Sequence, residues 1–376
     1  MIILAEGIKI RGYVSGDEKD IVELLKFVFN DWPHFDINCT KLDHWDWKFS
    51  NEMSKKTMAI AEDNNQIVGT FLTWIFNLKI GDTIYSSSNG VDVAVHPNYR
   101  GLGLFTKTRD FVGALRSDFG LKVHLGISDN QIVEQKYEAD TKKNPTLWPR
   151  FPFKINRLIR IQNADEYLNK NPINNKFIKK MGYTALRGAN KLESRLYRKP
   201  ETRGSFKIKQ INIFDNSIDE FWERIKDDYD FILERKKNNL NWRYFDPRAG
   251  RFRVLQTEED GKVVGYSVLR INRYWVDNLK GFIVDLLAAP GRLDIVDALI
   301  TEAVAYFEDF GINAIISTGF EDHPYSRIYK NHGFVTYNKN KLHLWLTEDL
   351  SNDIVKLQNS KVERAHIAIG DEDNLL

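Results

Sequence analysis

The sequence predicts a mixed α/β fold built as two related halves, and three observations carry that expectation. Stretches with two-residue alternation interleave with amphipathic helical stretches along the whole chain. The order of those elements is the same in both halves. Residues at equivalent places also recur: Trp47 precedes Gly69 of Ile67-Val68-Gly69 much as Trp242 precedes Gly265 of Val263-Val264-Gly265, and Asp92 stands to Pro97 as Asp285 stands to Pro290. Each proline lies where a strand gives way to a helix. We read the pattern as an internal duplication.

Taken in order, residues 7–15 alternate like a strand, and 17–30 place Ile21, Leu24, Leu25, Val28 and Phe29 at helical spacing. An aromatic segment, Trp45 to Phe49, follows. Strands are expected at 56–62, 66–80 and 83–95. Residues 104–119 put Leu104, Phe111, Val112, Leu115 and Phe119 on one helical face, with Gly120 as a stop. A strand at 121–127 and a helix at 130–139 complete the first half. In the second, a strand is expected at 205–213 and a long helix at 217–240, before Asn241-Trp242-Arg243-Tyr244-Phe245 echoes the earlier aromatics. Strands at 251–257, 262–274 and 280–288, a helix at 292–310, a strand at 312–318, a helix at 323–332 and two strands near 334–346 follow. The expected division is a first domain over 1–163, a polar connecting segment over 164–204, a second domain over 205–350 and a tail over 351–376. The last of these ends in a frayed acidic stretch from Gly370.

Composition narrows the function. Of the 376 residues, 42% are hydrophobic and 28% charged, which suits globular domains with sizeable cores. The net charge of +2 gives no global field to recruit nucleic acid or an anionic membrane. No apolar stretch reaches the roughly 20 residues that span a bilayer, and the start lacks a signal peptide's basic region. The one cysteine, Cys39, excludes an internal disulfide, and the histidines show no metal-ligand spacing. The expected location is the cytoplasm.

The most informative stretch runs from Val91 to Thr106. A strand ends at Pro97, a turn containing Gly101 and Gly103 follows, and an amphipathic helix begins. Glycine lets a backbone approach a ligand closely. The free N–H groups of a helix N-terminus suit a pyrophosphate, and Arg100 adds charge beside them. This stretch resembles the signature of the GNAT superfamily of CoA-dependent acyltransferases, roughly Val-x-Pro-x-x-Arg/Gln-x-x-Gly-x-Gly/Ala. Val95, Pro97, Arg100 and Gly103 fill it, and Phe105 stands in the final small-residue slot.

The resemblance implies, for each half, a mixed, mostly antiparallel sheet flanked by helices. It implies acetyl-CoA or another acyl-CoA as co-substrate and no metal. The pyrophosphate would be held by amides of Gly101, Leu102, Gly103, Leu104, Phe105 and Thr106, and the pantetheine arm by backbone groups of Val93 and Val95. The chemistry implied is direct attack of a primary amine on the thioester in a ternary complex, with the amine a small or medium-sized molecule.

A later family motif, Asn-x-x-Ala-x-x-x-Tyr followed by Gly-Phe, is met in part by Asn130 and Tyr137, with Val133 in the alanine slot and no Gly-Phe after. On the resemblance Tyr137 protonates the departing thiolate; packing is the other reading. Asp92 is either a general base or, since Asp285 matches it, a structural residue. Tyr329 to Phe334 fits the later motif, but Ala289-Pro290-Gly291-Arg292 lacks the phosphate-turn element, so the second half is expected to keep the fold without the CoA site. Trp45 and Trp47 either wall the acceptor site or pack the core, and His124 either approaches the acceptor or is a hydrogen-bonded core histidine. Two other readings stay open: a non-catalytic CoA-binding module and an aminoacyl-tRNA-dependent ligase.

Overall fold

The computed structural model of the chain describes residues 2–3, 7–128, 130–162, 205–274 and 279–372. The expected connecting segment 164–204 lies outside them. The strands are β1 (Ile2–Ile3), β2 (Lys9–Gly12), β3 (Ala59–Asp63), β4 (Gln66–Ile80), β5 (Thr83–Val95), β6 (Val123–Ile127), β7 (Arg150–Ile161), β8 (Lys207–Ile211), β9 (Phe231–Leu233), β10 (Arg253–Glu259), β11 (Lys262–Asn272), β12 (Lys280–Ala288), β13 (Ala314–Phe320) and β14 (Val335–Leu346). The helices are α1 (Glu18–Phe29), α2 (Lys41–Lys48), α3 (Glu52–Lys56), α4 (Leu104–Asp118), α5 (Gln131–Lys143), α6 (Asn216–Ile225), α7 (Lys237–Tyr244), α8 (Leu293–Asp309), α9 (Pro324–Asn331) and α10 (Ser351–Gln358). None of the described helices is long and apolar enough to cross a membrane.

These elements form two compact units. The first comprises Met1–Pro152, Pro247–Gly250 and Lys341–Asn359; the second comprises Phe153–Asp246, Arg251–Asn340 and Ser360–Leu376. In the first unit the strand order is β1-β2-β3-β4-β5-β6, closed by the last residues of β14, Leu342–Leu346, which pair antiparallel with β6. All neighbours are antiparallel except β5 and β6. Helix α1 buries Ile21, Leu24 and Leu25 and ends at Asn30, whose left-handed φ of 54° stops it. Thr40 and Asp43 form a capping box that starts α2, and Trp45 and Trp47 are fully packed into the core.

The second unit repeats the plan as β8-β10-β11-β12-β13-β7, with β12 and β13 the parallel pair. Its core is the face of α8 carrying Ile295, Leu299, Ala303, Val304 and Phe307, set against Leu269, Ile271, Ile283 and Leu286. Each of these side chains larger than alanine contributes about 1.5–3 kcal/mol of transfer free energy.

Three expectations need correcting, and one strand was not foreseen. The expected helix 217–240 is α6, a strand β9 and α7. Phe231, Ile232 and Leu233 are consecutive and all buried, which no single helical face permits. The two strands near 334–346 are one, β14. Residues 150–161, to which the sequence reading assigned no element, form β7; Pro152 masks the pattern at its start. Of the supposed frayed end, Gly370 to Glu372 are buried: Asp371 pairs with Arg235 and Glu372 with Arg157, both at 2.7 Å, and the rest lies outside the described residues.

Candidate functional site

In the first unit the parallel pairing of β5 with β6 is short. It runs from Ser87–Val123 to Asn89–Leu125 and stops, although β5 continues to Val95 and β6 to Ile127. The two strands therefore part from Gly90 onward, leaving the β5 edge over Val91–Val95 without a strand partner on that side among the described residues. A bulge marks the same stretch. The β4–β5 register shifts between Thr70 and Leu72, and Asp92 takes a left-handed φ of 46°.

At the end of β5 a short 3₁₀ turn, Pro97–Tyr99, leads to Gly101 and Gly103 at φ 87° and 72°, and α4 begins at Leu104. Leu104 plugs into Ile8, Ile10, Ala61 and Val68, which fixes the helix origin. Phe105 packs toward Phe71, so the bulky residue in the small-residue slot points into the core and leaves the amides clear. The amide of Lys107 is the first in α4 to find a helical carbonyl, that of Gly103 at 3.1 Å. Those of Gly101 to Thr106 have no partner among the described residues, and Gly103 offers no side-chain cap.

Cations surround this turn. Arg100 is exposed and Nε donates only to the Val95 carbonyl at 3.4 Å. Lys107 donates to the Leu102 carbonyl at 3.1 Å, and Lys136, from α5, to the Thr106 hydroxyl at 2.9 Å. Unpaired amides, a helix N-terminus and three cations held by neutral acceptors suit a diphosphate. The sequence reading missed both lysines. Lys107 follows the turn by one helical turn, a readable signal; Lys136 has none.

On the same side, Tyr137 of α5 is buried and stacks on His343 of β14 at 4.7 Å, with Trp148 at 5.7 Å. Its hydroxyl lies 3.0 Å from where a Cβ at Gly126 would stand, just where β6 leaves β5. Burial pushes the phenol up to about 12, with Arg109 and Arg116 pulling it back. His343 also meets Glu134 at 3.1 Å. Arg116 is fully buried over Trp345, at 4.7 Å from the ring, and donates to the Trp345 carbonyl; burial pushes it down to about 9. Arg109 pairs with Asp140 at 2.7 Å.

The remaining predicted residues fall as follows. Val93 and Val95 line the parted edge, with Val95 packed beside Leu104. Asn130 caps α5, its side-chain oxygen accepting from Ile132 N at 2.9 Å. Asp92 is buried on the opposite face, accepting from Trp32 Nε1 at 2.8 Å and Lys48 Nζ at 2.7 Å. His124 is buried with Nδ1 against the Ser88 hydroxyl at 2.9 Å.

The second unit has the same parting without the same provision. Pairing of β12 with β13 stops at Phe282–Ile316, while the strands run on to Ala288 and Phe320. The gap is lined by Ala365–Ala368 and keeps room for water centres of only about 20 Å³, one or two waters. At the head of α8 the amides of Arg292, Leu293, Ile295 and Val296 already donate to local carbonyls. Arg292 is held by Glu259 and Asp294, at 2.5 and 2.9 Å. An anion finds fewer open amides and no uncommitted arginine there.

Residues 9–111 match the family model of the acetyltransferase (GNAT) domain. No curated protein matches the sequence. Solved structures share the fold across both units. One is a conserved protein of unknown function from Enterococcus faecalis V583, a probable N-acyltransferase, at TM-score 0.59 and 11% identity, covering 91% of this chain and 73% of that one. A GCN5-related N-acetyltransferase from Anabaena variabilis aligns at TM-score 0.60 and 10% identity, covering 91% and 73%. Saccharomyces cerevisiae N-myristoyltransferase with bound myristoyl-CoA aligns at TM-score 0.61 and 10% identity, covering 92% and 79%.

Proposed function

From the GNAT acetyltransferase domain carried by residues 9–111, we propose that this chain is an N-acyltransferase that moves an acyl group, acetyl by default, from CoA to a primary amine. The observation that carries the reading is the parted β5–β6 pair ending in an exposed turn of unpaired amides. Acyl-CoA supplies the activated thioester. The amides of Gly101 to Thr106, with Arg100, Lys107 and Lys136, hold its diphosphate. The free edge over Val91–Val95 takes the pantetheine arm as an added strand would be taken, and its N–H groups polarise the thioester carbonyl. Proximity does the rest: the amine attacks the carbonyl carbon, the C–S bond breaks, and the Tyr137 hydroxyl, kept protonated by burial, gives its proton to sulfur.

Asp92 we assign to holding the bulge, because both its oxygens already serve Trp32 and Lys48. The second unit we assign to a duplicated GNAT-like domain whose cleft is filled by its own C-terminal segment.

The test is calorimetric titration of acetyl-CoA into wild type, Arg100→Glu and Gly103→Pro. Proline cannot adopt the positive φ of Gly103. Binding of one molecule per chain to wild type, lost in both folded variants, is the expected outcome. A folded wild type that does not bind CoA would overturn the reading.

A further inference from the structure

Ser88, Gly90, His124 and Gly126 fall together where β5 and β6 begin to part. Asn89 and Leu125 are the last registered couple, so Gly90 and Gly126 come next on their strands. His124 and Gly126, two apart on β6, share a face. A side chain on either glycine is excluded: a Cβ at Gly90 would stand 2.8 Å from the Phe71 ring and 3.3 Å from His124 Nε2, and one at Gly126 would meet the Tyr137 hydroxyl. Two polar atoms thus hang over two neighbouring glycines, at the apex of the cleft.

Neither atom has a hydrogen-bond partner among the described residues. His124 Nε2 is buried without a hydrogen-bond partner, and the Tyr137 hydroxyl has none among the described residues. A buried, unpaired ring nitrogen is costly to the fold, so a group that comes to meet it recovers that cost. The other ring nitrogen is engaged by Ser88 at 2.9 Å. With the Ser88 hydroxyl donating to Nδ1, the ring's proton sits on Nε2 and points over Gly90. The charges facing the ring are cationic, Arg109 and Arg116 of α4, with Trp345 of β14 edge-on at 5.7 Å. Burial first, and these arginines second, keep the imidazole neutral.

We propose that His124 is a second leaving-group residue of this cleft, its Nε2–H donating to the sulfur that receives the Tyr137 proton. The inference rests on the acyl-CoA reading above. As the C–N bond forms and the C–S bond breaks, the electron pair passes to sulfur. Tyr137 delivers the proton, His124 stabilises the charge through a hydrogen bond without titrating, the amine's proton leaves to solvent, and Tyr137 regains a proton from solvent. The ligand class is a thioester or thiol, and the site discriminates the thiolate from the thiol.

The probe is free CoA, whose bound thiol is titrated through the ultraviolet absorbance of its thiolate; no acceptor is needed. In wild type the bound thiol is expected to titrate at least about one unit below free CoA. His124→Phe should lose most of that depression while still binding CoA, and His124→Gln, which keeps a donor, should retain it. Equal thiol titration in wild type and both folded variants overturns the proposal. So does a wild-type thiol that titrates as free CoA does, even if His124→Phe fails to fold. Absence of CoA binding to folded wild type would instead overturn the acyl-CoA reading, so the two failures are distinguishable.

Discussion

At the scale of the residue, the outcome turns on which polar groups remain uncommitted. Tyr137 has a free hydroxyl over Gly126, and Tyr137→Phe should lower kcat by roughly 10²–10⁴ while leaving acetyl-CoA affinity unchanged, measured by calorimetry beside steady-state kinetics. Asp92 is the opposite case. Its carboxylate and Lys48 are a buried pair, and Lys48→Met should cost about 3–5 kcal/mol by leaving an uncompensated charge. Lys48→Met with Asp92→Asn should recover much of that in denaturant unfolding, since asparagine tolerates the left-handed backbone there. Equal losses in single and double variants would mean that the pair matters through packing and not charge. Sequence reading could name Arg100, Gly101, Gly103 and Tyr137 as candidates because the stretches that resemble the family's motifs are short and local. It left Asp92 undecided because the bulge breaks the alternation that would have told its direction. It missed His343 and Trp345 because they enter the site from the far end of the chain.

The α4 and α8 stripes announced themselves by period. The strands β4, β11 and β12 are buried on both faces and were legible as long apolar, β-branched runs bounded by turn residues. The expected helix 217–240 failed because Phe231 to Leu233 are buried on every side, and a run buried all round has no period to read. One element carries a pH dependence. His323 caps α9, its Nδ1 accepting from Tyr325 N at 3.1 Å, and burial holds its pKa at about 3. The unfolded chain binds that proton near pH 6.5 and the folded chain does not. The folded state is therefore favoured above that value and loses ground as pH falls toward about 3. Between pH 7 and pH 5 the loss is about 2 kcal/mol from this group. His323→Asn keeps a capping oxygen without the proton, and its unfolding midpoint should fall less on acidification than the wild type's. A parallel fall in both would place the acid sensitivity elsewhere, with His124 the next group to test.

Across the whole molecule, both units use one plan, and they differ in what fills the parted strands. In the second unit Gly370 fits against the Tyr244 hydroxyl and the Val284 carbonyl with no room for a Cβ, and Asp371 and Glu372 neutralise Arg235 and Arg157. A chain stopped after Arg364 should leave Arg157 without its carboxylate and Arg235 with Asp285 alone, and should lower the thermal midpoint by many degrees, read by calorimetry. That burial was illegible beforehand, since Gly370-Asp371-Glu372 has the composition of a solvated end. The return of the chain into the first unit was equally hidden. Residues Leu342–Leu346 give β6 its outer neighbour, although β6 itself ends more than half the chain earlier. During synthesis, then, the amino-terminal part emerges first but stays unfinished until Leu342–Leu346 have been made. Until that late ribbon leaves the ribosome, β6 offers a bare apolar edge to any passing strand, and closure must wait on a contact of very high sequence separation. Slow maturation, dependence on chaperones and sensitivity to premature termination follow from that one crossing of the chain.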